Sequence, residues 1–165
     1  MNTLRLYLYQ LLTLFLPETS CFGLKASFLR WCGARIGKNV RIGSSARIIG
    51  AGNLTIGDDV WVGARVFIAT SRPAVVSIGS NCDLGPDVML ITGSHEIDRN
   101  GIRVAGKGVS ASIEVGNGCW LGARAMLLAG VSLPCNTLVA AGAVVTRSVD
   151  RANALVAGVP ATVKR

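Results

Sequence analysis

The sequence predicts an all-β fold: a left-handed parallel β-helix, wound as a triangular prism of six-residue sides, with a short helical N-terminal segment and one protruding loop. Three observations predict it. Aliphatic residues recur at every sixth position without a break through Val115, Leu121, Leu127, Leu133, Val139 and Val145. The same step appears in three shorter runs, Ile36-Ile42-Ile48, Ile56-Val62-Ile68 and Ile78-Leu84-Leu90. The composition, with 20 glycines and 5% aromatic residues in 165, suits stacked layers of small and aliphatic side chains. A period of six fits neither the 3.6 of a helix nor plain strand alternation. It fits a short strand plus a corner, three of which close one coil.

Taken in order, residues 1–35 lie outside the period. Leu4, Leu8, Leu11, Leu12 and Phe15 share one helical face, and Leu24, Phe28, Trp31 and Cys32 another, with Pro17 between them. This predicts two short helices. They either cap the open end of the coils or meet a subunit, or else they dock on an anionic membrane face beside Lys25, Arg30 and Arg35. The apolar stretch from Leu4 to Leu16 falls short of the roughly 20 residues that span a bilayer. Arg5 precedes it as in a signal peptide, but no Ala-x-Ala-like cleavage site follows, so a cytoplasmic protein is expected.

Residues 36–165 form the predicted β-helix. Glycine follows the aliphatic position in Ile36-Gly37, Ile42-Gly43, Ile56-Gly57, Ile78-Gly79 and Leu84-Gly85, where it is expected to supply a positive φ at a corner. Four residues after each aliphatic position stands a small or β-branched residue, such as Val40, Val60, Cys82, Cys119 and Val131, expected to point inward. The period slips between Ile68 and Ile78 and again between Leu90 and Val115. The larger slip predicts a polar, Gly-bearing loop from about 94 to 112, and it holds the single histidine, His95.

The formal net charge of +8 favours an anionic partner: a nucleotide cofactor, an acidic lipid surface or nucleic acid. Nucleic acid is disfavoured, because no basic-aromatic stripe or known motif accompanies the charge. The five cysteines lack any metal-ligand or CxxC spacing and read as reduced thiols, with no metal expected.

The blocks LITGSHEID (90–98), IEVGNGCWLGARAMLL (113–128) and VAAGAVVTRSV followed by VAGVPATVKR resemble the hexapeptide-repeat O-acetyltransferases. That group includes galactoside and maltose acetyltransferases and enzymes of bacterial exopolysaccharide and lipopolysaccharide synthesis, and the resemblance covers residues 36–165. It implies a homotrimer of side-by-side prisms with acetyl-CoA in the groove between neighbours. It also implies that His95 is the general base, because a hydroxyl is a poor nucleophile until an imidazole takes its proton. Glu96 or Asp98 is a candidate to orient the imidazole. Backbone N–H groups in a Gly-rich corner are expected to meet the thioester oxygen.

By the same resemblance the cofactor groove includes Ala123, Ala141, Gly142, Thr146, Arg147, Lys164 and Arg165, small residues for the pantetheine arm and cations for its phosphates. Ser94 and Arg65 are candidate acceptor contacts. Arg65 stands where galactoside and maltose enzymes carry an asparagine, which favours an anionic or lipid-linked glycan over a free disaccharide. Thr162 replaces an arginine that some members carry after the Gly-x-Pro turn. The implied activity is O-acetylation of a sugar in a polysaccharide precursor, with N-acetylation of an amino sugar or a non-catalytic scaffold as alternatives. A γ-class carbonic anhydrase would need three histidines.

Overall fold

The computed structural model describes residues 1–164. Two helices, α1 (Thr3–Thr13) and α2 (Phe22–Trp31), precede the prism, with Asn2 capping α1 by accepting from Arg5 N at 3.1 Å. The first coil is β1 (Arg35–Ile36), β2 (Arg41–Ile42) and β3 (Arg47–Gly50), and the second is β4 (Asn53–Ile56), β5 (Trp61–Val62) and β6 (Phe67–Thr70). The third is β7 (Val75–Ile78), β8 (Asp83–Leu84) and β9 (Met89–Ile91). A hairpin, β10 (Gly93–Ile97) and β11 (Ala105–Ser110), leaves the prism there. Coils resume with β12 (Ile113–Val115), β13 (Trp120–Leu121) and β14 (Met126–Leu127), then β15 (Ser132–Leu133), β16 (Leu138–Val139) and β17 (Val144–Val145). Last come β18 (Leu155–Gly158), parallel to β16, and β19 (Ala161–Val163), folded back antiparallel on β18.

Parallel pairing produces three sheets. The first runs β1-β4-β7-β12-β15, the second β2-β5-β8-β13-β16-β18-β19, and the third β3-β6-β9-β14-β17. The six-residue aliphatic positions pair in register from coil to coil: Ile36 on Ile56 on Ile78 on Val115 on Leu133 along the first sheet, and equivalently along the other two. All these side chains are buried, together with the small inward set of Val40, Val60, Cys82, Cys119 and Val131. The period therefore reports the core directly, each coil covering the apolar layer of the next.

The glycines that follow the aliphatic positions do a different job from the one expected. Positive φ falls two residues later, at Asn39, Asp59, Asn81 and Gly118 on one edge and at Arg65, Asp87, Arg124 and Gly142 on the next. Gly37, Gly57, Gly63 and Gly85 are needed because the coils stack too closely there for a side chain. A Cβ on Gly85 would sit 2.8 Å from Ala123 N, and one on Gly63 2.7 Å from Leu84 O.

The helices close the N-terminal end with three side chains that reach three equivalent carbonyls of the first coil. Arg30 Nε donates to Ile36 O at 2.9 Å, Lys25 Nζ to Ile42 O at 2.9 Å and Gln10 Nε2 to Ile48 O at 2.7 Å. Each carbonyl belongs to the terminal strand of its sheet, β1, β2 or β3, and has no further coil to pair with. The helix faces also differ from the expected orientation. Leu6, Tyr9 and Thr13 of α1 are buried, whereas Leu4, Leu8, Leu11, Leu12 and Phe15 face outward. An almost wholly apolar helix has two apolar faces, and the one that packs holds the hydrogen-bonding residues.

Tyr9 Oη is buried with no hydrogen-bond partner. Burial, reinforced by the neighbouring Cys32 thiol, pushes its pKa well above its ordinary value of 10.0. Replacing Tyr9 with Phe is expected to raise stability by about 1 kcal/mol, because the orphaned hydroxyl disappears while the ring stays. The wild type also loses stability as pH rises above 10, since the unfolded phenol ionises there and the folded one does not. Urea titrations at neutral and alkaline pH check both effects; a Tyr9→Phe chain that is less stable at every pH rules them out.

Candidate active site

Both slips of the period fall on the same edge of the prism, between the third sheet and the first. The shorter one, Ser71–Ala74, lies one coil before the hairpin, and hydrogen bonds tie the two together. Ser71 N donates to Thr92 Oγ1 at 2.8 Å, Ser110 Oγ to Arg72 O at 3.1 Å and Ser112 Oγ accepts from Val75 N at 3.0 Å. Thr92 is fully buried and also donates to Ala69 O at 3.2 Å, anchoring the start of β10. The stretch expected as a loop is thus mostly an antiparallel ladder, with Ser94 opposite Val109 and His95 opposite Gly108. Between hairpin and prism edge opens a cleft of about 680 Å³, lined by Ser71, Arg72, Pro73, Ser94, His95 and Lys107 among others.

The imidazole of His95 lies within this cleft, with Nδ1 2.9 Å from Gly106 O. A carbonyl only accepts, so Nδ1 carries a proton, and Nε2 is the nitrogen of the ring that is able to take one up. Gly106 is on the partner strand of the hairpin, so the same fold that raises His95 off the prism also fixes its tautomer. Asp98 is occupied elsewhere: its Oδ1 accepts from Asn100 N at 3.0 Å and Gly101 N at 2.8 Å, shaping the hairpin turn. Glu96 is an exposed residue of β10, and the imidazole bonds to Gly106 O rather than to either carboxylate.

The remaining candidates divide between two edges. Thr146 and Arg147, exposed after β17, share the edge that carries Ser94 and His95. Ala123, Ala141 and Gly142 occupy the edge between the second and third sheets, where Gly142 N donates to Ala123 O at 2.9 Å. A Cβ built on Gly142 would meet nothing within 4 Å, so the space beside this strip of small residues is open. Arg65 stands on that edge too, in a bidentate ion pair with Asp87 at 2.7 Å for both bonds. The hydrogen bond from Arg65 holds the Asp87 carboxyl below the usual carboxylate range. Lys164 is exposed after β19, with its N–H bonded to Leu155 O at 2.7 Å; Arg165 lies outside the described residues. One chain therefore brings Ser94, His95, Thr146 and Arg147 to one edge, and Arg65, Ala123, Ala141 and Gly142 to another.

Cys82 and Cys119 stack in adjacent coils at the inward position and are both buried. Cys82 Sγ donates to Gly116 O at 3.1 Å and Cys119 Sγ to Pro134 O at 3.2 Å, and the adjacent Cys119, with burial, pushes the Cys82 thiol far up. The same pairing draws the Cys119 thiol down to about 7, but both sulfurs are sealed inside the prism, where no thioester reaches them to load an acyl group. Trp61 is half-buried against Phe22, with ring centroids 5.7 Å apart, and Trp120 is exposed on the same sheet. Arg72 and Lys107 in the cleft, and Gly106 and Thr92 supporting it, carry no signal that singles them out in the sequence. Only the shorter slip at Ser71–Ala74, one coil before the longer one, hinted at the cleft's second wall.

A left-handed prism with a histidine-bearing cleft at one edge defines the class, an acyltransferase built on hexapeptide repeats. The family described as the hexapeptide repeat of succinyl-transferase matches residues 53–90 and 112–147. WcaF of Escherichia coli K12, provisionally named a colanic acid biosynthesis acetyltransferase, is 34% identical over 86% of this chain and 74% of its own length. The galactoside O-acetyltransferase of the same organism is 27% identical over 86% of this chain and 68% of its own. A solved structure of galactoside acetyltransferase in complex with coenzyme A shares the fold with a TM-score of 0.71 at 19% identity, covering 99% of this chain and 79% of the other. The chain belongs to the hexapeptide-repeat acetyltransferases.

Proposed function

We propose that the protein is an acetyl-CoA-dependent O-acetyltransferase acting on a sugar of a bacterial exopolysaccharide or lipopolysaccharide precursor, with His95 as general base. The observation that carries the reading is the bond between His95 Nδ1 and Gly106 O, which leaves Nε2 free in an open cleft. The acceptor hydroxyl gives its proton to Nε2 as its oxygen attacks the thioester carbonyl carbon. The tetrahedral intermediate then collapses, the C–S bond breaks, and the imidazolium returns the proton to the leaving sulfur. Products are the acetyl ester and free CoA. Gly106 O stabilises the imidazolium through the Nδ1–H it already receives.

The division of candidate residues between two edges fits a homotrimer of side-by-side prisms. Two edges of one chain are separated by a sheet face of ~17 Å, taking five residues at ~3.3 Å each. A neighbour's Ala123, Ala141 and Gly142 edge set against the hairpin brings the donor strip to His95, with Arg147 and Lys164 available for phosphates. Arg72, its Nε held by Ala51 O at 3.0 Å, and Lys107 line the same cleft as the histidine, which favours an acceptor with a carboxylate or phosphate over a neutral sugar.

The reading is tested by following CoA release from acetyl-CoA across a panel of neutral, acidic and lipid-linked bacterial glycans. Stimulation by an acidic acceptor is expected, with Lys107→Ala raising its KM about tenfold and leaving kcat nearly unchanged. A chain that does not bind acetyl-CoA at all is not an acetyltransferase of this kind, and the scaffold alternative takes its place.

A further inference from the structure

We infer that the capped N-terminal end of the prism docks on an anionic lipid bilayer, with the outward face of α1 entering the headgroup boundary. This goes beyond the acyl-transfer reading and stands or falls independently of it. With Leu6, Tyr9 and Thr13 turned to the prism, the opposite side of α1 presents Leu4, Tyr7, Leu8, Leu11, Leu14 and Phe15 to solvent, Leu4 at 68% and Phe15 at 82% exposure. Trp31 of α2, held beside α1 by the Arg5 guanidinium 4.8 Å from its ring centroid, adds to this apolar surface at 49% exposure. Such a face does not stay in water without a partner. At 11 residues α1 is about 16 Å long, too short to cross a bilayer but long enough to lie in its surface.

Charge decides between a membrane and a second copy of the chain. Of the first 50 residues seven are Lys or Arg and one, Glu18, is acidic. Arg35, Arg41 and Arg47 hold the same outward position before the inward Ile36, Ile42 and Ile48, so each of the three faces of the first coil carries one arginine. The result is a basic collar around the capped end. None of the three is in an ion pair among the described residues. Arg47 lies against α1 itself, lining a groove of about 420 Å³ with Tyr7, Leu11 and Leu14. A second copy meeting this end would set one arginine collar against another, whereas a layer of acidic headgroups receives the apolar plate and neutralises the collar together. Prisms associated side by side would also put every plate at the same end, facing one plane, where binding is multivalent.

Flotation of the full chain with phosphatidylcholine vesicles, with and without phosphatidylglycerol, tests the inference. The wild type is expected to float with the anionic vesicles only, less so as salt rises. Leu11→Glu/Phe15→Glu, two exposed positions, is expected to weaken vesicle binding at least tenfold, or ~1.4 kcal/mol, with an unchanged melting temperature. Arg35→Ala and Arg47→Ala, which leave the plate intact, should each weaken binding about fivefold. A wild type that stays in solution with anionic vesicles overturns the inference, as does a Leu11→Glu/Phe15→Glu chain that floats equally well. If the wild type stays in solution and that variant sediments as a smaller species, the face belongs to a second copy.

Discussion

Replacing His95 with Ala is expected to lower kcat by about 10²- to 10⁴-fold, or roughly 3–5 kcal/mol of transition-state stabilisation. KM for acetyl-CoA should change little, because the proposed role of the ring is toward the acceptor hydroxyl. The fold should survive, since the side chain is exposed and its hydrogen bond is to one carbonyl of the hairpin, Gly106 O, which water can replace. His95→Gln is the informative companion. It retains a polar side chain beside Gly106 but lacks a group that can take up a proton at neutral pH, so it should be as slow as the alanine variant. Steady-state CoA release with the best acceptor, alongside melting temperatures of all three chains, checks this. A loss below tenfold in both variants removes His95 from the role of base.

How much of this was legible in the sequence differs between prism and cleft for a physical reason. Each coil repeats one packing problem, so Ile36, Ile56, Ile78, Val115 and Leu133 had to be alike, and a period of six displays them without any knowledge of three-dimensional pairing. The hairpin repeats nothing. Its antiparallel pairing of His95 with Gly108 leaves no periodic trace, so the sequence alone predicts a loop for the whole stretch. The partner of the imidazole was invisible for a further reason: it is a backbone carbonyl, and Gly106 O carries no side-chain signature. A nearby carboxylate, Glu96 or Asp98, was the chemically natural expectation, but Asp98 closes the hairpin turn instead.

The corner glycines teach a related lesson. Gly37 and Gly85 were visible as a pattern, but their cause was not, because it lies in the backbone of the neighbouring coil rather than in their own φ. The αL positions two residues further on include Arg65 and Arg124, residue types that give no hint of a left-handed corner. The two edges that divide the candidate residues likewise follow only from counting corners in three dimensions. Along the chain Ala123 and Thr146 are both simply residues after a strand; in the prism they lie on different edges.

The cap is the other place where one side chain carries much of the structure. Lys25 is fully buried, and its ammonium donates to Pro17 O at 3.0 Å, Glu18 O at 3.0 Å and Ile42 O at 2.9 Å. Burial lowers its pKa below the ordinary ammonium range, with Glu18 pulling the other way. Lys25→Met keeps the length and apolar stem but removes all three donors. Pro17 O retains a bond from Ser44 Oγ at 2.8 Å, while Ile42 O, at the edge of the second sheet, loses the donor that reaches it from the cap. The expected cost is about 2–4 kcal/mol, after allowing for the relief of no longer burying a charge. For a chain of this size that corresponds to a fall in melting temperature of roughly 5–15 °C. The damage should also be local at first. With α2 no longer fastened over β2, amide exchange should speed up in the helices and first coil before the later coils, because each coil is held mainly by its neighbours. An uncapped prism end is in turn an open strand edge, so at high concentration the variant should form assemblies larger than those of the wild type. Calorimetry and hydrogen exchange measure the two effects separately. A melting temperature within about 1 °C of wild type would mean that Arg30 and Gln10 alone suffice to hold the cap.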